Sequence, residues 1–310
     1  MRILFWGTPT FAVPSLRALD DEGYEVVGVV TQPDRPAGRG RHLAASPVKQ
    51  VALDMGVPVL SPEKPRGDDF LSEFRALAPD LSVVVAYGHI LRPEVLDVPP
   101  LGSINVHASL LPALRGAAPI NWAIVRGYEE TGVTIMRMVE GMDAGPVIHT
   151  IPEPILPGET ASELTIRLSE LGAEGLVEAL AMMAAGRAPE TEQDHAAATF
   201  APKVDRATAR VDWSRPATEL AWHVRGMDAV PGAWTELDGA PVKIYRPEAT
   251  EGAADAEPGT VVAADDANGL VVATGAGRLV VGEVQPPGRR RMEVQDWIHG
   301  RSVQAGQRFV

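Results

Sequence analysis

No cysteine occurs anywhere in the 310 residues, so disulfides, cysteine-ligated zinc and a thiolate nucleophile are all excluded. The absence fits a reducing compartment, and any catalysis must draw on other groups. No apolar run approaches the roughly 20 residues needed to cross a bilayer. The opening Met1-Arg2-Ile3-Leu4-Phe5-Trp6-Gly7 is followed by polar, proline-containing sequence where a secretion signal would continue its apolar stretch. It reads as the first strand of a cytoplasmic protein with no membrane association. Positive charge is also in short supply: 28 Lys and Arg face 41 Asp and Glu, a net charge of -13, and most of the acidic excess precedes residue 202. A surface that grips polyanions over its whole extent is excluded, because phosphate binding needs Lys and Arg, whereas a local basic patch is not. The first turn, Gly7-Thr8-Pro9-Thr10-Phe11, contains neither G-x-G-x-x-G nor G-x-x-x-x-G-K-[ST]. Dinucleotide and nucleoside-triphosphate chemistry, including an oxidoreductase, lose weight accordingly.

What is present is ordinary globular sequence, 45% hydrophobic and 22% charged, long enough for about two domains with separate cores. Arg2 to Trp6, Val26 to Thr31, Leu81 to Ala86 and Ile104 to Val106 are short Val- and Ile-rich runs separated by stretches with helical spacing. That alternation predicts an α/β domain, a mostly parallel, Rossmann-like sheet covered by helices, with ligands at the carboxyl ends of its strands. Glu159 to Ala185 carries leucines at helical spacing and predicts one or two amphipathic helices. Gly186 to Arg210 is polar and alanine-rich, broken by Pro189 and Pro202, and reads as an inter-domain stretch. Beyond it, Val242 to Tyr245, Gly259 to Ala264, Gly269 to Thr274 and Leu279 to Val284 predict a small antiparallel, OB-like barrel. The expected division is residues 1–188, a linker at 189–206, and residues 207–310. The late tryptophans Trp213, Trp222, Trp234 and Trp297 are expected in the barrel core.

Three stretches could carry chemistry. In Ile104-Asn105-Val106-His107 the strand alternation puts Asn105 and His107 on one face, an amide able to steady an oxyanion beside an imidazole able to relay a proton. Capping of a strand end explains the pair equally well. Asp143, in the turn Glu140-Gly141-Met142-Asp143-Ala144-Gly145-Pro146, could stabilise a protonated His107 or simply be a turn residue. Arg35, Arg39 and Arg41 make a basic loop suited to phosphate, with Lys203, Arg206, Arg210 and Gly288-Arg289-Arg290-Arg291 as further cationic candidates; solvated surface is the alternative for each. His149, His195, His223 and His299 lack ligand spacing, so no metal is expected.

Together these stretches resemble the methionyl-tRNA formyltransferases along almost the whole chain. The resemblance rests on Gly7-Thr8-Pro9, Thr31 to Gly40, Val84-Val85-Ala86-Tyr87-Gly88, Ile104 to His107, Ser109 to Pro112, Arg115 to Ile120, Thr131 to Met136 and Ala209 to Trp213. Transferases acting on amino sugars or purine precursors share the Asn, His and Asp constellation and a Ser-Leu-Leu-Pro-like stretch, so these parts alone imply only folate-dependent formyl transfer. The basic loop and second domain discriminate further. The resemblance implies the formyltransferase fold with a tRNA-binding C-terminal barrel, and transfer from 10-formyltetrahydrofolate to initiator methionyl-tRNA. It implies Asn105, His107 and Asp143 as catalytic residues. Ser109, Leu110, Leu111, Pro112, Tyr87, Gly88, Ile90 and Leu91 would hold the folate, and Arg35, Arg39, Arg41, Lys203, Arg206 and Arg210 the tRNA. A monomer is expected. Ala113 and Leu114 stand where some members have Arg and Trp, and Ala229-Val230-Pro231 where others have a Pro-Trp-Pro-like segment. A nonenzymatic tRNA-binding module is the reading from a different class, and the intact Asn105, His107 and Asp143 weigh against it.

Overall fold

The computed structural model describes residues 1–37, 42–252, 256–300 and 302–310. They form two compact units, one of residues 1–119, 130–154 and 165–201, the other of residues 120–129, 155–164 and 202–310. In chain order the first 184 residues give β1 (Arg2–Gly7), α1 (Val13–Asp21), β2 (Glu25–Val30), β3 (Arg35–Ala37), β4 (His42–Ala44), α2 (Pro47–Asp54), β5 (Val59–Leu60) and α3 (Asp68–Ala76). There follow β6 (Leu81–Val85), α4 (Pro93–Leu96), β7 (Ser103–His107), α5 (Pro119–Val125), β8 (Glu130–Arg137), β9 (Val147–Pro154) and α6 (Ala161–Ala184).

Seven of these strands make one sheet in the order β5-β2-β1-β6-β7-β8-β9. The first five run parallel, and β8 and β9 are added antiparallel. Strand β6 is buried at every position, the pattern of a strand covered on both faces, which is why its sequence is a continuous rather than alternating apolar run. The chain moves from β1 outward to β2 and later returns to β6 on the other side of β1, so the connections diverge between β1 and β6. In open α/β sheets that divergence opens a crevice at the carboxyl ends of the strands. The expected helix over Glu159 to Ala185 is the single helix α6. Its Gly172 approaches β7 so closely that a Cβ there would stand 3.0 Å from Val106 Cγ1. Helix α6 therefore covers the Val106 face of β7, and Asn105 and His107 belong to the opposite face.

Residues 189–201, expected within the linker, are paired along the first unit. Thr191 and Val147 exchange backbone hydrogen bonds of 2.8 and 2.7 Å, the Arg115 N–H donates to Thr199 O at 2.9 Å, and the Ala201 N–H donates to Arg115 O at 2.7 Å. The pairing runs through main-chain groups, so a polar, alanine-rich composition does not reveal it.

The second unit contains α7 (Ala217–Gly226), β10 (Trp234–Leu237), β11 (Ala240–Thr250), β12 (Val261–Asp265), β13 (Gly269–Ala273), β14 (Arg278–Gln285), β15 (Met292–Glu293) and α8 (Val294–His299). The antiparallel sheet runs β10-β11-β14-β13-β12, with β15 on β14. Its edges β10 and β12 are both stitched to the last residues: Glu236 and Val310 exchange backbone bonds of 3.0 Å, and the Val261 N–H donates to Gln307 O at 2.8 Å. The sheet thus curls, and its exposed edges are bridged by the C-terminal segment. Trp213 and Trp297 lie in the core with Ile244, Leu270, Val281 and Phe309. Trp222 and Trp234 are only half-buried, a departure from expectation. Trp234 packs against the edge of that core and its ring also carries arginines, with the Arg206 guanidinium 4.3 Å and that of Arg210 5.3 Å from its centroid. Among the described residues no helix is long and apolar enough to cross a membrane.

His223 on α7 is buried, its Nε2 has no partner among the described residues, and burial holds its pKa below the ordinary 6.5. The unfolded chain therefore binds the proton more readily, and stability contributed by the neutral ring is present above about 6.5 and lost as pH falls through the lower folded value. Calorimetry on His223→Leu is expected to show a shallower loss of thermal midpoint between pH 7.5 and 5.5 than in the parent.

Candidate active site

The carboxyl end of β7 delivers His107 almost wholly buried, at 5% exposure, with Asn105 half-buried one turn of the pleat earlier. His107 Nε2 lies 3.0 Å from the Leu114 carbonyl oxygen. A carbonyl only accepts, so Nε2 carries the ring proton and Nδ1 is left as the basic nitrogen. Nδ1 faces Asp143 Oδ2 at 3.7 Å, too long for a hydrogen bond and an ion pair only when the ring takes up a second proton. The tautomer is thus set by a backbone carbonyl, whereas a triad carboxylate would accept the ring proton itself. The Asn105 side-chain amide makes no hydrogen bond among the described residues.

Leu114 supplies that carbonyl from a left-handed backbone, φ 61°, fixed by its N–H donating to Thr199 Oγ1 at 2.9 Å. Asp143 is also left-handed, φ 48°, as is Ala86 at the end of β6. Such non-glycine conformations cost about 1–3 kcal/mol each and persist only where the surroundings over-determine them. At Asp143 the surroundings are visible. The Gly116 N–H donates to Oδ2 at 2.8 Å, and the Gln193 side-chain amide donates to the carbonyls of Asp143 and Gly145 at 2.9 and 2.7 Å. Gly116 must be glycine: its φ is 121°, and a Cβ would stand 2.7 Å from Ala201 O. Gln193 is itself clamped, because Arg115 Nε and Nη2 both donate to its Oε1, at 3.1 and 2.6 Å. Arg115 Nη2 also lies 3.0 Å from His195 Nδ1.

Two segments border the strand ends beside this pair. Ser109 to Pro112 form a turn tied to β8: Thr134 Oγ1 donates to Ser109 O at 2.7 Å and accepts from the Leu111 N–H at 3.1 Å, while Ser109 Oγ donates to Ala113 O at 2.6 Å. Leu110, Leu111 and Pro112 remain half-exposed. The second segment follows β6. The Tyr87 ring is buried in the core against Trp6, its hydroxyl has no partner among the described residues, and burial pushes its pKa up to about 12. What Tyr87 offers near the crevice is its carbonyl, which accepts from Thr8 Oγ1 at 3.0 Å and Gln32 Nε2 at 2.9 Å. Gly88 is exposed, Ile90 is 81% exposed, and Leu91 is buried.

Arg35 opens the β3–β4 hairpin, and its Nη2 donates to Gln32 Oε1 at 2.5 Å; Lys49 and Asp34 pair at 2.8 Å below it. Arg39 and Arg41 lie outside the described residues. In the second unit Lys203, Arg206 and Arg210 are exposed and pair with no carboxylate among the described residues. Arg291 differs: it is neutralised by Asp228 and Glu283. No group of three or more His, Cys, Asp or Glu suited to a metal occurs among the described residues. Gln193, Thr199 and Gln32 escaped sequence reasoning, since a lone amide or hydroxyl in a polar stretch carries no pattern.

Comparison with known proteins bears on these groups. Residues 1–180 match the formyl transferase family model, and residues 203–302 match the model for the formyl transferase C-terminal domain. The methionyl-tRNA formyltransferase of Symbiobacterium thermophilum is 50% identical over 313 residues, covering 100% of this chain and 95% of that protein. That of Bacillus subtilis is 47% identical over 306 residues, covering 98% and 96%. Among solved structures, HypX from Aquifex aeolicus in complex with tetrahydrofolic acid superposes with a TM-score of 0.65 at 21% identity, over 96% of this chain and 46% of that longer one, a likeness of fold.

Proposed function

The chain belongs to the methionyl-tRNA formyltransferase family, and from that premise we propose that it transfers the formyl group of 10-formyltetrahydrofolate to the α-amino group of initiator methionyl-tRNA. The product is formylmethionyl-tRNA for translation initiation, and Asn105, His107 and Asp143 are the catalytic residues. The observation that carries this reading is the meeting of a tautomer-fixed His107 with Asp143 at the end of the strand that also bears Asn105, whose amide is unpaired among the described residues. An unpaired, half-buried amide beside an apolar ledge suits a planar ligand carrying a carbonyl-type oxygen.

When bound, the folate supplies a formyl carbon open to attack by an amine. Asn105 Nδ2 donates a hydrogen bond to the formyl oxygen as negative charge develops there, where a preorganised donor is worth most. His107 receives the amine proton at Nδ1 while Asp143 Oδ2 offsets the imidazolium charge, and as the bond between the formyl carbon and the folate nitrogen breaks His107 gives that proton to the departing nitrogen, which returns the ring to its neutral form. Ser109 to Pro112 and the backbone of Tyr87, Gly88, Ile90 and Leu91 hold the folate. Arg35, Arg39 and Arg41 take the acceptor end of the tRNA. The same reading has the enzyme act as a monomer in the cytoplasm.

Lys203, Arg206 and Arg210 hold phosphates of the tRNA body. Stacking on Trp234 pre-orders two of these guanidinium groups, which lowers the entropy lost on contact. Each phosphate contact adds about 0.7–0.9 to the log–log salt slope of binding. Replacing Arg206 and Arg210 together by alanine is therefore expected to flatten that slope by about 1.5, with folate affinity unchanged. An unaltered slope in a titration against salt removes these residues from the interface.

The reading itself is tested by incubating the protein with 10-formyltetrahydrofolate and charged initiator or elongator methionyl-tRNA, then measuring formylmethionine by mass spectrometry. Rapid formylation of the initiator alone is expected. Absence of product from folded protein, or preference for an amino sugar or purine precursor offered in parallel, overturns it.

A further inference from the structure

Asp143 is useful only if its carboxylate stays beside His107, yet it sits in a strained turn whose internal hydrogen bond, from the Ala144 N–H to Gly141 O, is long at 3.4 Å. Besides the Gly116 N–H on its carboxylate, the turn is held at its main chain by a segment about fifty positions away in sequence. We propose that Gln193 is a positioning residue for formyl transfer: its amide N–H groups hold the carbonyls of Asp143 and Gly145, and Arg115 locks the amide in that orientation.

Four observations carry this. The Gln193 side chain is buried, at 7% exposure for the residue, so its hydrogen bonds are not interchangeable with water. Its Nε2 donates to both turn carbonyls, at 2.9 and 2.7 Å, on either side of Ala144. Its Oε1 accepts twice from Arg115, which is 6% exposed, so the amide cannot flip without setting a guanidinium against an NH2 group. The same stretch of chain that carries Arg115 supplies the Gly116 N–H on Asp143 Oδ2 and the Leu114 carbonyl on His107 Nε2. One buried relay, from Arg115 through Gln193 to the Asp143 turn, therefore ties the carboxylate to the segment that orients the imidazole. Gly145 contributes by leaving no room for a side chain: a Cβ there would collide with Arg137 O.

The inference rests on Asp143 and His107 as the proton-handling pair, and the test separates the two ideas. Gln193→Glu is the informative variant. It keeps an oxygen for Arg115 and the side-chain shape, but it sets a carboxylate oxygen against two carbonyls and drives the turn away. A displacement of about 1 Å at a reacting group is worth about 10²-fold in rate. Gln193→Glu is expected to lower kcat by about that factor with KM for both substrates near the parent values, in a protein that still folds but with a lower thermal midpoint because two buried carbonyls lose their donor, and Gln193→Met is expected to do the same. In an Asp143→Ala background neither change should reduce kcat further, because a group that acts only through Asp143 has nothing left to position. Normal kcat in a folded Gln193→Glu enzyme, or an effect that multiplies that of Asp143→Ala, overturns the proposal. Should Asp143→Ala alone retain full turnover, the reading of the catalytic pair fails first, and the role of Gln193 falls with it.

Discussion

Alanine at His107 is expected to lower kcat by about 10²- to 10⁴-fold, the range for loss of a positioned proton acceptor, with KM for folate and tRNA near the parent values. The size follows from how specifically the ring is prepared. Its Nε2–H is committed to the Leu114 carbonyl, so Nδ1 alone can receive a proton, and Asp143 stands 3.7 Å away to balance the resulting charge. Water admitted into the vacated space has neither the fixed orientation nor the adjacent carboxylate. The substitution also strips the Leu114 carbonyl of its partner in a buried place, which costs about 1–3 kcal/mol of stability. The thermal midpoint must therefore be followed alongside single-turnover rates, so that a folded but slow enzyme is distinguished from an unfolded one. A folded His107→Ala protein turning over at the parent rate removes His107 from the reaction.

Most of the parallel sheet was readable because β1, β2, β6 and β7 are apolar runs of strand length and fall where the runs at Arg2, Val26, Leu81 and Ile104 put them, whereas the two-residue β5 is too short to announce itself. The placing of Asn105 and His107 on one face followed from strand alternation alone. The glycine- and proline-rich turn Glu140 to Pro146 drew attention to Asp143, but its distance from His107 could not be read, because Asp143 has a left-handed backbone and its turn is bonded to a glutamine fifty residues later. Tyr87 shows the opposite limit. The family resemblance implied it as a folate-holding residue, while the structure turns its ring into the core beside Trp6 and Phe74 and leaves only main chain near the crevice. The second unit was legible as alternating short strands. Bridging of its edges by Gln307 to Val310 was not, because that segment pairs through backbone groups without an apolar repeat of its own.

Asn105→Ala is expected to raise the barrier by about 2.7–4 kcal/mol, the usual cost of one oxyanion donor, which corresponds to roughly 10²- to 10³-fold in kcat. Affinity for the formyl donor should change little, because a neutral formyl oxygen draws less from the amide than the charged oxygen that follows, and only the difference between them accelerates the reaction. Stability should also hold. The Asn105 amide has no hydrogen bond among the described residues, so its removal leaves no buried partner unsatisfied, in contrast to His107. Asn105→Asp makes the sharper test: it keeps the shape, reverses the donor into an acceptor and is expected to be slower than the alanine variant. Equilibrium binding of the donor together with single-turnover formylation decides the matter. A loss of donor affinity that accounts for the whole loss of kcat/KM, with kcat intact, makes Asn105 a binding residue and leaves the oxyanion to another group.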